Sequence, residues 1–564
     1  MSYRLAIAIS GAVSLGSYEA GVLFEVVRAI GLHNRASSDP QNRIVIDVIT
    51  GASAGGMTAA ILAQKLLFEG FQLDHPFGNH LYQPWVEMAD IRSMLDPRPE
   101  DDPEMSILSS EFIAEIAEQF LLDRYRYAAE PEPIVHPAAA DAIRVGLALS
   151  NLNGVDRMLP AFDGAELGSP GEQFTYTHFQ DRLTVEIRKD EESPALWERL
   201  ARAARASGAF PFAFRPLRVP RNPDEKDYRG LGIAPDDFPP RAFTYTDGGV
   251  FNNSPLGMAK RLANEVDVEP LDYERRFFLY ISPDRKTSTA NRVLDEFRAR
   301  FADFGMALGN AVFQQARFQD WAYTAYFNEL VDQFDDRAYG LRELLRHLDE
   351  AQCEAIDRAA ELLLSALYAG NPAADARVAD FNRLKQQFMV DEEARSLLRE
   401  KGEAVTDVWL RAVQVLEKSG RLDSKDKMTV YTVTASPEEL AGEGIAAFAG
   451  FFDGRFRQFD YAAGRRKARR FLDNLKQEYQ QGGKRHLPLT GFSYPDRVPV
   501  MDERLAQAGI EEVERVVREQ LLERVSDRAQ RLLKQLGVGW VTRKLLLWFF
   551  IVPRLRRLLK LKWL

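Results

Sequence analysis

The sequence predicts an α/β fold in which strands and helices alternate near the amino terminus and a long helical insertion follows. Two apolar runs, Leu5–Ser10 and Ile44–Ile49, have the length and composition of buried strands. Each run leads through a short loop of small residues into a helical pattern, at Ser17–Ile30 and Met57–Ala63. Between about 286 and 427, charged and apolar residues alternate with helical spacing, which predicts the insertion.

Composition and charge restrict the class of protein. The chain has 564 residues, of which 46% are hydrophobic and 28% charged, which is enough for a large core in a soluble body. A net charge of −10 argues against general nucleic-acid binding, because binding to phosphates requires a basic face. The single cysteine, Cys353, cannot form an internal disulfide. With no secretory signal and no apolar run of about 20 residues, we expect a cytoplasmic protein.

The most informative segment is a G-x-S-x-G pattern, Gly51, Ser53 and Gly55, between the second strand and its helix. Strand, pattern and helix in this order are typical of a nucleophile elbow. The two glycines leave room for a sharp turn, which presents the Ser53 hydroxyl at the strand end near the positive N-terminus of the helix. The alternative is an ordinary Gly/Ser-rich turn that caps a helix.

Two further segments could serve the same site. The loop Gly11–Gly16 joins the first strand to its helix and can direct backbone N–H groups at an anion, although it could also be an ordinary β–α turn. Asp247, Gly248 and Gly249 follow a predicted strand. A hairpin turn is the commonest use of such a sequence, and the functional alternative is a carboxylate held at a strand end.

In their order and separation, these three segments resemble the patatin-like phospholipase family. The segment Ala206–Pro211 is similar to the small-residue segment that precedes the family's aspartate. The stretch Leu440–Asp453, with Asp460–Arg465 after it, resembles a bacterial patatin-related branch with a long C-terminal extension. The resemblance covers residues 1–285 and extends in part to 475.

The resemblance implies a three-layer α/β/α hydrolase core and lipid acyl hydrolysis, of the phospholipase A or lysophospholipase type, by a Ser–Asp dyad without metal or organic cofactor. The implied site residues are the nucleophile Ser53 with its elbow glycines Gly51 and Gly55, the base Asp247 with Gly248 and Gly249, and the oxyanion-hole residues Gly11, Ala12 and Val13. The family's loop usually has three glycines and a basic residue. Here only Gly11 of the three remains and Leu15 takes the basic position, yet a backbone N–H survives both changes.

Two alternatives stay open. A conventional Ser-Asp-His esterase would need a histidine after Asp247 in the chain, which leaves His347 and His486. A protein of another class, a membrane-surface binding or scaffolding protein with a degenerate hydrolase core, would account for the altered loop at Gly11. None of the histidines has the spacing of a metal site.

The basic C-terminal tail predicts a membrane partner. From Arg531 onward the chain contains nine basic residues and no acidic one, and its apolar run Leu545–Val552 is too short to span a bilayer. We expect the tail to bind an anionic membrane surface, peripherally at the inner face, while the alternative is packing on the body or on a second subunit. The expected parts of the chain are a catalytic core at 1–285, a helical insertion at 286–427, a return to the core at 428–475 and a helical extension with the tail at 476–564.

Overall fold

The computed structural model consists of an α/β unit and a smaller helical unit. The α/β unit spans residues 2–262, 278–320 and 430–564, and the helical unit spans 263–277 and 321–429. The residues that are not described lie at 1, 97, 102–104, 126–131, 161–172, 192, 229–241, 268–274, 284–310, 312–325, 327, 332, 369–375, 390–391, 420–427, 444–446, 483–485, 508–512, 536 and 561–564. Most of the predicted insertion before residue 326 and the last four tail residues are therefore outside the described residues.

The described strands form one mixed sheet. In chain order they are β1 (Tyr3–Ile9), β2 (Ile44–Gly51), β3 (Ala139–Pro160), β4 (Gln173–Arg188), β5 (Leu217–Pro220), β6 (Ala242–Thr246), β7 (Arg276–Ser282) and β8 (Val430–Thr434). Their order across the sheet is β5-β6-β3-β2-β1-β7-β8, and β4 pairs with β3 in addition. The central strands β1, β2 and β3 are parallel, whereas β4 and β6 run antiparallel to β3.

Helices surround this sheet and form the second unit. In the α/β unit they are α1 (Gly16–Ala36), α2 (Ala54–Phe68), α3 (Ile91–Leu95), α4 (Ser110–Ala117), α5 (Pro194–Ser207), α6 (Leu256–Asn264), and, after the helical unit, α11 (Ala449–Phe452), α12 (Gly454–Gln480), α13 (Arg515–Gln535), α14 (Trp540–Leu546) and α15 (Val552–Leu558). The helical unit contains α7 (333–347), α8 (Glu350–Leu367), α9 (Ala376–Met389) and α10 (Glu392–Ser419).

Two neighbouring residues of β2 show that helices cover both faces of the sheet. Thr50 Oγ1 donates to the carbonyl oxygen of Pro255 just before α6 (3.0 Å), whereas a Cβ at Gly51 would lie 2.1 Å from the Gly55 carbonyl oxygen in α2. Because successive residues of a strand face opposite sides of the sheet, α2 and α6 lie in different layers. The predicted three-layer α/β/α class is confirmed, and it places Ser53 directly after the end of β2.

The helical unit has its own core around Trp409. This side chain is fully buried, and its indole N–H donates to the Ala338 carbonyl oxygen at 2.7 Å. Cys353 packs in the same core as a buried free thiol, next to the capping box that Asp349 and Gln352 form at the start of α8. Within the described residues, no helix of either unit combines the length and apolar character that crossing a bilayer requires.

One stretch differs from the expectation. The mixture of Pro, Gly, His and Trp at residues 69–95 predicts irregular structure. The structure instead contains short helical segments there, among them a π-helical turn at Gln83–Met88 followed by α3. The physical reason is packing, because the Trp85 ring lies against Gly16, where a Cβ would come within 2.6 Å of it. The sequence pattern at residues 106–122 predicts a helix, and in the structure the helix there, α4, begins at Ser110.

Candidate active site

Ser53 occupies a strained position between β2 and α2. Its φ is +53°, a left-handed conformation that residues other than glycine rarely adopt and that recurs at functional sites. The turn is tight enough to require both neighbouring glycines, since a Cβ at Gly51 would lie 2.1 Å from the Gly55 carbonyl oxygen and a Cβ at Gly55 would lie 2.3 Å from that of Ser10. The segment thus has the geometry that a nucleophile elbow requires.

The Ser53 hydroxyl is hydrogen-bonded to a buried carboxylate. Ser53 Oγ donates to Asp247 Oδ2 at 2.6 Å, and the Gly249 N–H donates to Oδ1 of the same carboxylate at 2.7 Å. Asp247 is only 3% exposed, and this burial raises its pKa to about 7 although both hydrogen bonds lower it. A carboxylate with a pKa near 7 can act as a general base at neutral pH.

Two buried serines that the sequence analysis did not single out support the pair, Ser207 at Ser53 and Ser150 at Asp247. Ser207 Oγ accepts from the Ser53 N–H at 3.1 Å and donates to the Ala148 carbonyl oxygen in β3 at 2.7 Å. Nearby, Ser150 Oγ donates to the Asp247 carbonyl oxygen at 2.7 Å. In the sequence, only the small-residue segment around Ser207 pointed to this region, and nothing in that segment indicated a role for the serine hydroxyl.

Asn253 holds the Gly11 loop from two sides. The Gly11 N–H donates to the Asn253 carbonyl oxygen at 3.0 Å, and Asn253 Nδ2 donates to the Gly11 carbonyl oxygen at 3.2 Å. A Cβ at Gly11 would lie 2.0 Å from Asn253 Oδ1 and 3.1 Å from Ser53 Cβ, so glycine is needed for this close approach. The expectation that Gly11 donates to an oxyanion is corrected here, because its N–H already has an acceptor within the protein.

Val13 and Ala54 present backbone N–H groups beside Ser53. Val13 has a φ of +52°, an uncommon value for a branched residue, and lines one cavity together with Ser53 and Ala54. Ala54 is the first residue of α2, so its N–H has no acceptor within the helix. Across the described part of the chain, no protein group accepts from the N–H of either residue or of the adjacent Ala12.

An apolar cavity that is partly open to solvent adjoins Ser53. Apart from Ser53 itself, its walls consist of glycine and apolar side chains, which include those of Met57, Trp85, Phe214 and Phe451. The indole N–H of Trp85 is satisfied within the protein, because it donates to Thr58 Oγ1 at 2.9 Å. Cavities of this kind accommodate ligands that are mainly apolar, with a few polar groups that fix the orientation.

Residues late in the chain brace the Gly11–Gly16 loop. Ser14 Oγ donates to the Ala447 carbonyl oxygen and accepts from the Gly450 N–H at 3.1 Å. Asp460 accepts from the N–H groups of residues 441–442 at 2.7 and 2.9 Å, and its complete burial raises its pKa to about 8. The sequence analysis assigned no role to Ser14 or Asp460, because nothing local in the sequence links positions more than 400 residues apart.

The histidines considered for a triad lie elsewhere. His347 is exposed in the helical unit, and His486 Nδ1 lies 3.6 Å from Glu478 Oε2. Within the described residues, the Asp247 carboxylate accepts hydrogen bonds from Ser53 and Gly249 and from no histidine. Among the residues described, no cluster of three His, Cys, Asp or Glu side chains is arranged to hold a metal ion.

Comparisons with known proteins agree with this site only in part of the chain. The family model for patatin-like phospholipases matches residues 143–260, which contain Asp247 but not Ser53. An uncharacterized protein of Sinorhizobium fredii is 24% identical over 330 residues, or 45% of each chain. An uncharacterized membrane protein of Mycobacterium tuberculosis is 25% identical over 248 residues, which are 42% of this chain and 21% of its own. The chain therefore spans less than half the length of either relative.

The matched segment runs from β3 to α6 and includes the Asp-Gly motif at the end of β6. The elbow, the Gly11 loop and the apolar cavity lie around it in the same α/β unit. The match identifies residues 143–260 as a patatin-like phospholipase domain, which lies within the three-layer α/β unit.

Proposed function

We propose that the protein hydrolyses carboxylic esters of lipids, with Ser53 as the nucleophile and Asp247 as the general base. The hydrogen bond of 2.6 Å from Ser53 Oγ to the buried Asp247 carboxylate carries this proposal. A serine hydroxyl is a weak nucleophile until an adjacent base takes its proton. With a pKa near 7, Asp247 is basic enough to do so and is still ionised in a large fraction of molecules at neutral pH.

The proposed reaction has two steps. In the first, Ser53 Oγ attacks the ester carbonyl carbon, its proton passes to Asp247, and the alcohol leaves with that proton. In the second, a water molecule gives a proton to Asp247 and attacks the acyl-enzyme, and the fatty acid and the Ser53 hydroxyl are released. The N–H groups of Val13 and Ala54 are suitable donors to the oxyanion of both tetrahedral intermediates, and that of Ala54 lies at the positive end of α2.

The apolar cavity supports a lipid as the substrate. The walls beside Ser53 offer apolar contacts, including Met57 and Ile61 of α2 and the aromatic residues Trp85 and Phe451. An alkyl chain gains about 0.8 kcal/mol for each methylene group that leaves water, so a cavity of this kind favours long acyl chains over acetate. Phospholipids and lysophospholipids are therefore the first substrates to test.

The experiment compares ester turnover and thermal melting in three variants. We expect Ser53→Ala to lower kcat by about 10⁴-fold or more. Asp247→Asn, which keeps the shape but cannot accept the proton, should lower kcat by about 10²–10⁴-fold. Ser365→Ala, in which an exposed serine of the helical unit is replaced, is the matched control and should keep full activity.

Three results would contradict the proposal. Retained turnover in a folded Ser53→Ala variant would show that another group is the nucleophile. Loss of activity in His486→Ala or His347→Ala, equal to that in Asp247→Asn, would favour the triad. A protein that turns over no ester at all would favour the non-catalytic alternative.

A further inference from the structure

The segment after residue 514 folds into a compact hairpin of helices, here named the basic hairpin (residues 515–560). Its long first helix is α13, and a π-helical turn at Leu547–Ile551 joins α14 to α15. Arg518 Nη1 donates to the Leu559 carbonyl oxygen at 2.9 Å, which fixes the end of the hairpin to α13. Leu547 and Leu559 are buried, 8% and 2% exposed, so one side of the hairpin packs inward.

The opposite side of the hairpin leaves large apolar side chains in solvent. Trp540, Val541, Leu545 and Trp548 are 60%, 61%, 50% and 69% exposed. At about 100° per residue these four positions fall within an arc of about 140°, so they share one face of the helix. The sequence left open whether the apolar run packs on the body, and among its described side chains Leu545 and Trp548 are exposed.

Positive charge accompanies this apolar face. After Asp527 the sequence contains no acidic residue, although the whole chain has a net charge of −10. The basic residues of the later part of the hairpin are Arg543, Lys544, Arg554, Arg556, Arg557 and Lys560. The Lys544 ammonium lies 4.4 Å from the centre of the Trp540 ring, so cation and apolar surface are adjacent. Exposed tryptophans among cations match the boundary between anionic headgroups and acyl chains.

The hairpin adjoins a wall of the apolar cavity. Helix α13 packs against α3, and an ion pair of 2.6 Å joins Arg92 of α3 to Glu514 just before α13. Met94, two residues after Arg92, lines the cavity. Phe212 is also exposed, 78%, and lies between the cavity-lining residues Phe210 and Phe214 in a strained conformation with a φ of +69°.

We propose that the basic hairpin docks the protein on the surface of an anionic phospholipid bilayer. Trp540, Leu545 and Trp548 enter the acyl boundary while the neighbouring arginine and lysine side chains contact phosphate groups. This docking proposal rests on the proposed function, because docking brings the cavity beside α3 to its lipid substrate. Charge complementarity selects the partner, because a basic apolar face on an acidic protein fits an anionic interface better than a neutral one.

The test is sedimentation of the full chain with vesicles of phosphatidylcholine alone and of equimolar phosphatidylcholine and phosphatidylglycerol, at low and high salt. We expect the protein to pellet with the anionic vesicles, less so at high salt, and to bind weakly to neutral ones. Trp540→Ser with Trp548→Ser should lower the partition coefficient about tenfold or more. Arg543→Gln with Lys544→Gln should lower it about fivefold for each charge, on anionic vesicles only.

Matched controls come from exposed residues outside the hairpin. Leu362→Ser removes an apolar side chain of the helical unit that is 75% exposed. Arg504→Gln removes an exposed cation that forms an ion pair with Asp502. Both controls should bind vesicles as the unaltered protein does. Thermal melting of every variant distinguishes a lost contact from a lost fold.

Several results would overturn the docking proposal. One is the absence of binding to anionic vesicles, and another is equal binding by the unaltered protein and both hairpin variants. A third is a dimer that does not bind vesicles and that dissociates when Trp540→Ser and Trp548→Ser are introduced. This result would show that a second copy of the chain covers the face.

Labelling of Ser53 by a soluble fluorophosphonate is measured in parallel. Labelling without vesicle binding overturns docking alone, and vesicle binding without labelling overturns the proposed hydrolase.

Discussion

At the scale of single residues, the pKa of Asp247 determines when the proposed dyad can work. Burial raises this pKa to about 7, against the hydrogen bonds from Ser53 and Gly249, which lower it. The same burial penalises the ionised carboxylate in the folded protein, because charge is costly in a low-dielectric site. Activity and stability should therefore respond to pH in opposite directions.

The pH dependence of activity is the first consequence. We expect kcat/KM for a soluble ester to rise with pH through one ionisation near pH 7, since only the ionised Asp247 can take the Ser53 proton. The measurement is initial rates with a nitrophenyl ester from roughly pH 5 to pH 9, corrected for spontaneous hydrolysis. A profile that is flat, or that falls over this range, would contradict the assignment of Asp247 as the base.

The stability of Asp247→Asn is the second consequence. Folding raises the pKa of Asp247 from 3.8 to about 7, so the folded protein favours the protonated carboxyl. The contribution of this preference to the free energy of unfolding is complete below pH 3.8 and is lost as the pH rises through 7. Because asparagine does not ionise, the variant should be more stable than the unaltered protein at pH 8, by a few kcal/mol, and the difference should shrink towards pH 5. Urea unfolding at both pH values measures this difference, and an unchanged difference would contradict the raised pKa.

At the scale of elements, the loop before α1 is held by parts of the chain that are far apart in sequence. Asn253 fixes Gly11 by two hydrogen bonds, and Ser14 is bound to the carbonyl and N–H groups of Ala447 and Gly450. The loop is therefore held in position without the basic side chain that Leu15 replaces. This arrangement explains how Val13 is kept in a strained conformation beside Ser53.

Gly11→Ala tests the close approach of this loop. The added Cβ would lie 2.0 Å from Asn253 Oδ1 and 3.1 Å from Ser53 Cβ, so the Asn253 side chain and the loop must shift. We expect kcat to fall by about 10²–10³-fold through misplaced oxyanion donors, with a smaller effect on melting temperature. Gly340→Ala is the control, because a Cβ there meets no other atom within 4 Å. An unchanged kcat in Gly11→Ala would place the oxyanion donors elsewhere.

Ser14→Ala tests the brace from the late segment. It removes the hydrogen bonds to Ala447 and Gly450 without adding bulk, so the loop keeps its shape but loses support. We expect kcat to fall about tenfold or more while KM for a soluble ester changes little, because the cavity walls remain in place. A change in KM alone would indicate that Ser14 supports the cavity and not the oxyanion donors.

At the scale of the whole molecule, the α/β unit and the helical unit have separate cores. Trp409 lies at the centre of the helical unit, where its indole N–H donates to Ala338. Trp409→Ala should cost about 3–5 kcal/mol, as for other large buried side chains. We expect faster amide hydrogen exchange in α10 and unchanged exchange in β1 and β2. Equal acceleration in both units would contradict separate cores.

The sequence allowed the strands around the elbow, Ser53 and Asp247 to be predicted because each rests on a local pattern. Branched apolar runs form buried strands, and small residues mark the sharp turns between strand and helix. The engaged N–H of Gly11, the support from Ser207 and the brace from Asp460 could not be predicted in this way. Each depends on a contact between distant segments. Asp460 accepts from N–H groups that are 18 to 19 residues away in the chain, and these donors adjoin a loop near the amino terminus.

The central claim is that Ser53 is the nucleophile of an ester hydrolase, and covalent labelling tests it most directly. The protein is incubated with a fluorophosphonate, digested, and the modified peptide identified by mass spectrometry, with Ser53→Ala and Ser365→Ala treated in the same way. The account predicts one modified residue, Ser53, in the unaltered protein and in Ser365→Ala, with slower labelling below pH 7, and no labelling of Ser53→Ala. Labelling of another residue, or equal labelling of folded Ser53→Ala, would contradict it.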